Sequence, residues 1–363
     1  MKTSIKYTFS IMILLNLSFC TAKKEQLLED IDEAISREKF SAARELIFEA
    51  MKIPRENDRL VSGNRPSTPR MVMVSADRDA VIYTEDDLLV YDNPGREEHE
   101  ELKLKGIPEA VGINGRYAVV SFPVKKGGCR MIVRSVDDED WSFESGARVS
   151  CKNTPAVSAG GKFIYYFMDG RLFREKTEGE PAPEEISLSV KLKPPVKKVR
   201  PKYAFYAFGD SFLLFHGNAG SYNLYVIDES GKISKISENI LSTMVFPALD
   251  GVYIISGSIG KMRLRKVSGS GGKIKIDSGF HTGFNEMISW QISKDEFISG
   301  NTTGLYYRKL GQDLKRYPVI YERFWVLKDQ VYYENAAGKL YLSDFVYTDE
   351  DWNLVKLLEQ CEN

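Results

Sequence analysis

Short apolar runs recur along most of the chain, and each is followed by a glycine-containing turn and a second run in which apolar and polar residues alternate. Leu249 to Val267 shows the pattern: Asp250-Gly251 forms a turn, Val252 to Ile255 can be buried, and Met262 and Leu264 alternate with basic residues. Alternation between turn residues is typical of β-strands. Each copy therefore predicts an antiparallel hairpin, which needs neighbouring copies to bury its apolar face.

The spacing of these runs predicts an all-β repeat protein. The runs begin at Val81, Tyr117, Phe163, Phe212, Val252, Phe297 and Val331. Their intervals of 34 to 49 residues bracket the length of one four-stranded blade. We therefore predict a seven-bladed β-propeller, with six or eight blades, or a β-sandwich with coincidental spacing, as alternatives. In this register Met71 to Val74 is the first inner strand, and Asn353 to Leu358 supplies the last outer strand. The tetrapeptide Asp-Glu-Asp-Trp at 138–141 and 349–352 supports the register.

The residues before the repeats show a helical period. Leu27 and Ile31 fall on one helical face, and Ala43 and Ile47 fall on another, which predicts a short helical hairpin. The stretch 38–50 resembles the helical hairpin of a tetratricopeptide repeat. Because a peptide-binding array needs several such repeats, a helical spacer packed on the body is the other interpretation.

The first twenty residues differ from everything that follows. Lys2 and Lys6 precede an apolar run from Tyr7 to Phe19, which is short for a membrane span. The run ends in Leu17-Ser18-Phe19-Cys20, which resembles the lipobox of bacterial lipoproteins in its relaxed, spirochaete form. The resemblance implies cleavage before Cys20 and acylation of Cys20. An ordinary secretory signal is the alternative.

These patterns divide the chain into four parts. We predict a lipoprotein signal peptide over 1–19, a lipidated N-terminus with the helical hairpin over 20–52, a proline-containing linker over 53–69 and the propeller over 70–363. The predicted location is the cell envelope, with the lipid anchor in the outer membrane. The sequence leaves open whether the chain faces the periplasm or the cell surface.

The overall charge is balanced, with 50 basic and 51 acidic residues, and predicts no nucleic-acid partner. One local basic excess consists of Lys191, Lys193, Lys197, Lys198, Arg200 and Lys202. Lysines on an outer strand protect its edge from pairing with other chains, which is the structural interpretation. The functional interpretation is a patch for anionic lipid, polysaccharide or an acidic protein.

Cys129 and Cys151 are predicted to form a disulfide. They lie equally far from Asp140, in the middle of an acidic turn between two predicted antiparallel strands, and equal spacing would place them opposite each other. Export exposes both residues to an oxidising compartment. Two buried thiols are the alternative, and Cys361 remains unpaired in either case.

Linear motifs for catalysis, metals and cofactors are missing from the sequence. It has no nucleophile elbow, phosphate-binding loop or zinc-helix motif, and its three histidines, His99, His216 and His281, lie in different repeats. We therefore predict no metal and no cofactor. Because an active site assembled from several blades leaves no linear motif, a propeller hydrolase or lyase stays an alternative.

The repeat pattern from Arg70 onward resembles that of bacterial propeller lipoproteins. The resemblance implies a membrane-anchored, non-catalytic binding or scaffolding module whose partner is a protein or a glycan. A periplasmic scaffold, similar to outer-membrane barrel-assembly lipoproteins, and a surface adhesin are further alternatives. The fold alone does not rank them, because propellers host all of these functions.

Overall fold

A computed structural model divides the protein into two compact units, Pro66–Met287 and a second unit built from the two ends of the chain. The structure describes residues 22–74, 78–104, 106–125, 127–135, 137–138, 141–158, 160–188, 192, 202–208, 211–218, 220–228, 232–248, 251–257, 263–269, 274–281, 288–291, 296–301, 304–309, 312 and 314–362. The predicted signal peptide and Cys20 lie outside these residues.

Two helices open the described chain and confirm the predicted helical hairpin. They are α1, over residues 22–36, and α2 (Phe40–Met51). The first strand, β1 (Arg59–Ser62), follows inside the segment 53–69 for which the sequence predicts a linker. Prolines and glycine flank this strand without entering it, and its four residues are too few to show a strand period.

The unit Pro66–Met287 begins with three separate four-stranded antiparallel sheets. Sheet one contains β2 (Val72–Val74), β3 (Val81–Glu85), β4 (Leu88–Asn93) and β5 (Glu98–Lys103). Sheet two contains β6 (Ala110–Asn114), β7 (Tyr117–Pro123), β8 (Cys129–Ser135) and β9 (Ser142–Val149). Sheet three contains β10 (Ala156–Val157), β11 (Phe163–Met168), β12 (Arg171–Lys176) and β13 (Glu184–Ile186).

Sheets four and five are continuous because one long strand belongs to both. Sheet four contains β14 (Lys202–Phe208), β15 (Ser211–Asn218), β16 (Ser221–Asp228) and the first part of β17 (Ile233–Ala248). Sheet five contains the last part of β17, β18 (Gly251–Ser256), β19 (Arg263–Ser268), β20 (Lys275–Ile276) and β21 (Phe280–His281). A register shift between Ile240 and Val245 separates the two parts of β17.

The unit built from the chain ends contains two further sheets. Sheet six contains β22 (Ile288–Gln291), β23 (Glu296–Asn301), β24 (Gly304–Lys309) and β25 (Lys315–Arg316). Sheet seven contains β26 (Arg323–Val326), β27 (Gln330–Glu334), β28 (Leu340–Asp344) and, as its fourth strand, β1. Leu60 of β1 lies opposite Tyr341 of β28, so both ends of the chain share one sheet.

The described residues thus form seven antiparallel sheets with four strand positions each, in which β20 and β21 share the outer position of sheet five and β1 fills the outer position of sheet seven. The predicted β-propeller fold class is confirmed. The predicted first inner strand corresponds to β2. Within Pro66–Met287, apolar clusters fill the space between consecutive sheets. Both faces of β15 are buried, because Phe212 and Leu214 belong to the cluster shared with sheet three, and Leu213 and Phe215 belong to the cluster shared with sheet five. This is why the central strands read as continuous apolar runs in the sequence.

A buried polar network, the terminal network, holds the chain before β1 against sheet seven. The carboxylate of Asp58 accepts hydrogen bonds from the backbone N–H of Arg55 at 2.8 Å, from Tyr333 Oη at 2.6 Å and from Ser343 Oγ at 2.6 Å. The guanidinium of Arg55 donates to the carbonyl of Asp344 at 2.8 Å. Arg55 and Asp58 are both buried, so their charges compensate each other away from water.

The predicted last outer strand, Asn353 to Leu358, is wrong, because these residues lie in α3 (Asp349–Glu362). Thr348 Oγ1 accepts the backbone N–H of Asp351 at 3.2 Å, and the Asp351 carboxylate accepts the backbone N–H of Thr348 at 3.1 Å. This reciprocal pair is a capping box and starts the helix. The first copy of the tetrapeptide lies between β8 and β9 instead, so the repeated sequence marks two different structures.

Helices α1, α2 and α3 pack together through one apolar cluster. Ile31 of α1, Ile47 of α2, and Leu354 and Leu358 of α3 are fully or almost fully buried in one apolar cluster. Cys361 borders this cluster as a half-buried free thiol. The helical period of the N-terminal residues therefore reflects packing against a C-terminal helix that strand-based reasoning did not anticipate.

Candidate functional site

The turns and connections at one end of sheets two, three and four enclose a cavity of about 810 Å³, which we call the crossover cavity. In an antiparallel meander, the turn between the second and third strands lies at the same end as the connection to the next sheet. The β7–β8 turn, the β9–β10 connection and the β11–β12 turn line the cavity, together with the start of β14. The lining consists of Gly127, Gly128, Arg148, Val149, Ser150, Cys151, Lys152, Asn153, Phe167, Met168, Asp169, Gly170 and Tyr203.

A disulfide joins Cys129 of β8 to Cys151 in the cavity lining, with their Cα atoms 5.0 Å apart. The geometry behind the sequence prediction is wrong, since Val149 lies directly opposite Cys129. A register shift between Arg130 and Ile132 displaces the partner strand, and Cys151 lies beyond the end of β9. The bridge therefore holds the chain that leaves sheet two, which is part of the cavity wall.

Hydrogen bonds connect the same chain to the next two sheets. The buried side chain of Asn153 donates to the carbonyl of Phe167 at 3.4 Å and accepts the backbone N–H of Tyr203 at 3.2 Å. The Thr154 N–H donates to the carbonyl of Tyr203 at 3.0 Å, and the Phe205 N–H donates to the carbonyl of Thr154 at 3.3 Å. These bonds form a parallel bridge with β14. The lining is thus held in place by the fold itself.

Two exposed cations of the lining, Arg148 and Lys152, have no ion-pair partner among the residues that the structure describes. Arg148 lies directly opposite Arg130 in the sheet, and the guanidinium of Arg130 is paired with Glu144. Like charges directly opposite each other destabilise a sheet. Asp169, in the β11–β12 turn, is the carboxylate among the lining residues. The cavity therefore presents an uncompensated positive charge on its sheet-two side.

Aromatic rings form another part of the wall. Tyr203 stacks on Phe167 with ring centroids 4.1 Å apart, and its ring also stacks on His216 at 4.9 Å. His216 is 1% exposed, and its Nδ1 has no hydrogen-bond partner within the described residues. Burial lowers the pKa of His216 to about 4, so this histidine is neutral at physiological pH.

No protein-family model and no curated protein sequence matches the chain. Among solved structures, the chain is similar to the β-propeller domain of Myceliophteria thermophila Cps50 (Swd1), with 13% identity, a TM-score of 0.49, and coverage of 78% of this chain and 99% of that one. It is also similar to BamB from Moraxella catarrhalis, with 12% identity, a TM-score of 0.43, and coverage of 79% and 99%.

A third similar structure is BBS1N, solved in complex with ARL6DN. The identity is 12%, the TM-score is 0.46, and the match covers 79% of this chain and 95% of that one. Our assignment of the fold rests on the sheets described above, and no function is transferred from these structures.

The predicted basic patch falls mostly outside the described residues. Lys191, Lys193, Lys197, Lys198 and Arg200 cannot be placed, whereas Lys202 begins β14, opposite Gly217 of β15. Lys202 directly precedes Tyr203 of the cavity lining.

Sequence reasoning missed the polar residues that shape this cavity, Arg148, Lys152 and Asn153. One signal in the sequence indicated them: Arg148 lies near the end of an alternating strand, and Lys152 and Asn153 directly follow Cys151. A polar segment that carries a bridged cysteine between two sheets is held in place, and loops held on a rigid scaffold are frequent binding sites.

A second cavity, of about 340 Å³, lies in the unit built from the chain ends. It is lined by Lys24, Glu25, Leu28, Pro54, Arg55, Glu56, Asn57, Val346, Thr348, Glu350 and Asp351. Burial alone would raise the pKa of Asp351, but the N–H of Thr348 and the ammonium of Lys24, 3.1 Å away, together hold that pKa below its usual value. In this lining Lys24 is paired with Asp351, and Arg55 is paired with Asp58. Because these charges are already compensated within the protein, we place the candidate site at the crossover cavity.

The described residues include no group of three or more Asp, Glu, His or Cys side chains arranged to hold a metal ion. The helices within the same ranges lack the combination of length and apolar character that a membrane crossing requires. The crossover cavity presents two exposed cations, a methionine side chain and aromatic rings on a wall held by the disulfide and by the hydrogen bonds of Asn153.

Proposed function

We propose that this protein is an exported, lipid-anchored lipoprotein of the cell envelope that acts as a non-catalytic binding or scaffolding module. Its recognition surface is the end of sheets two to four that carries the crossover cavity. The observation that carries this proposal is the fixed cavity wall, whose loops are held by the Cys129–Cys151 disulfide, the buried Asn153 and the parallel bridge of Thr154. Preorganised loops lower the entropic cost of binding a partner.

The anchor in this proposal is the acylated Cys20. The described part of α1 begins at residue 22, and two residues of chain span at most about 7 Å. A lipid on Cys20 would thus hold α1, and the helices packed on it, close to the bilayer surface. Three acyl chains exceed the two signals that stable anchoring needs.

Acylation is tested by growing cells with labelled palmitate. The wild-type chain should incorporate the label and fractionate with membranes, whereas Cys20→Ala should do neither. Cys361→Ser is the matched control, because it removes a cysteine that is not predicted to be acylated, and it should label like the wild type. Equal labelling of Cys20→Ala and the wild type would contradict the anchor.

Binding is tested with a photo-crosslinking amino acid placed at Lys152 in intact cells. A discrete adduct should form at this position and not at Lys162, an exposed residue at the opposite end of sheet three. The absence of any adduct at Lys152, or the same adducts at both positions, would contradict the proposed surface.

The side of the membrane decides between two versions of this function. Protease treatment of intact cells should digest a surface adhesin while a periplasmic control protein is spared. A periplasmic scaffold for envelope assembly should be protected until the outer membrane is permeabilised.

A further inference from the structure

We propose that the crossover cavity binds an acidic peptide segment of a partner protein that also carries apolar side chains. Its carboxylates would lie against Arg148 and Lys152, and an apolar side chain would lie against Met168 and Tyr203. This inference rests on the proposed function and adds the chemistry of the partner.

The charge argument begins with the sheet-two wall. Arg148 lies opposite Arg130, whose guanidinium is paired with Glu144. Arg148 and Lys152 are exposed and have no ion-pair partner among the described residues. An incoming carboxylate would supply the missing counter-charge and relieve the like-charge contact across the strands.

The apolar argument selects a peptide among anionic ligands. Beside the cations, the lining offers the buried ring of Phe167, the half-buried side chain of Met168 and the ring of Tyr203. An inorganic phosphate or a lipid headgroup would use the cations alone. A segment in which acidic and apolar residues alternate would use both parts of the wall, because thioether and aromatic groups pack well against varied apolar side chains.

The size and rigidity of the site agree with this ligand. A cavity of about 810 Å³ accommodates several side chains of a peptide. Asn153, which is 8% exposed, uses its amide on Phe167 and Tyr203. Asn153 therefore positions the β9–β10 connection against sheets three and four, while Arg148 and Lys152 remain available to a ligand.

The test uses the detergent-purified full chain and three fluorescein-labelled decapeptides in an anisotropy titration. The first alternates Glu with Leu and Phe, the second has Gln in place of each Glu, and the third consists of Glu alone. The alternating acidic peptide should bind most tightly, and its affinity should fall steeply as the salt concentration rises.

Paired variants assign the binding to the cavity. Arg148→Glu combined with Lys152→Glu should weaken the alternating acidic peptide by at least about tenfold. The matched control combines Lys162→Glu with Lys232→Glu, two exposed lysines at the opposite ends of sheets three and four, and should stay within about twofold of the wild type. Met168→Ser should reduce the affinity for the alternating peptide to that for the all-Glu peptide. Circular dichroism and thermal midpoints confirm that each variant folds.

Three results would overturn the inference: no binding of the alternating peptide, equal loss in both double variants, or displacement by inorganic polyphosphate as effective as that by the peptide. The last result would indicate a site for anions in general, or for a phosphate-bearing lipid. The crosslink at Lys152 separates this inference from the proposed function. If that adduct forms in cells and the alternating peptide neither binds nor competes with it, the ligand class is wrong while the binding surface stands.

Discussion

His216 shows how a single residue couples the core to the candidate site. Its ring stacks on Tyr203 of the cavity lining, it is 1% exposed, and burial lowers its pKa from 6.5 to about 4. The unfolded chain therefore binds a proton on this histidine more readily than the folded chain does. The associated stability is present above about pH 6.5 and is lost as the pH falls toward 4.

His216→Phe should flatten the pH dependence of stability. Between pH 7 and pH 5, the wild-type free energy of unfolding should fall by about 2 kcal/mol more than that of the variant, because only the wild type must bury a neutral imidazole. Urea unfolding at both pH values measures the difference. His99→Gln is the control, since His99 is exposed. If His216→Phe had the same pH dependence of stability as the wild type, His216 would not be the group responsible for it.

Among the elements, the chain between β9 and β10 decides the shape of the candidate site. The disulfide fixes one of its ends to β8, and the pairing of Thr154 with β14 fixes the other. Neither contact is part of a regular sheet ladder. The loop therefore depends on these contacts for its position, and its loss of order should be separable from global unfolding.

Replacing both Cys129 and Cys151 with Ser should lower the free energy of unfolding by about 3 kcal/mol, since the closed loop restricts the unfolded chain. The amide of Thr154 should also exchange its hydrogen faster, because the chain that holds it loosens. Denaturation and hydrogen exchange measure the two effects. A reducing agent should reproduce both in the wild type and change nothing in the double variant. Wild-type stability that resists reduction would contradict this role.

At the scale of the whole molecule, the two ends of the chain complete one sheet. β1 supplies the fourth strand of sheet seven, and the terminal network joins Arg55 and Asp58 to Tyr333 and Ser343. The helices at both ends share one apolar cluster. The N-terminal residues therefore stabilise the β fold in addition to connecting it to the predicted anchor.

Asp58→Ala should destabilise the protein by about 3–5 kcal/mol, because it removes the buried carboxylate that pairs with Arg55 and leaves the hydroxyls of Tyr333 and Ser343 without their acceptor. The carboxylate of Asp344, 3.4 Å from the Arg55 guanidinium, is exposed to solvent and compensates only part of this loss. Glu56→Ala is the matched control, since Glu56 is exposed two residues away, and its effect should stay within about 0.5 kcal/mol. Denaturant unfolding compares the two variants. Similar stability of both would show that the terminal network contributes little to holding the chain ends together.

Local periodicity in the sequence was sufficient to predict several features of the fold. The recurring apolar runs predicted the strands and their grouping into meanders, because each central strand is buried on both faces. The helical period around Ile31 and Ile47 predicted the hairpin, because each helix buries one apolar face. The cysteine spacing also indicated the pair Cys129 and Cys151, although a register shift changed the geometry that joins them.

Other features depend on contacts between residues far apart in the chain, which local sequence patterns do not encode. A four-residue strand at Arg59–Ser62 gains its stability from β28, far along the chain, so its own sequence carries almost no strand signal. The segment predicted as the last strand is a helix, because the capping box at Thr348 starts α3 and its apolar face packs against α1 and α2. Arg148 and Lys152 lie in one segment around Cys151, whereas Tyr203 lies in β14, two sheets further along the chain. Their meeting in one cavity follows from how consecutive sheets pack.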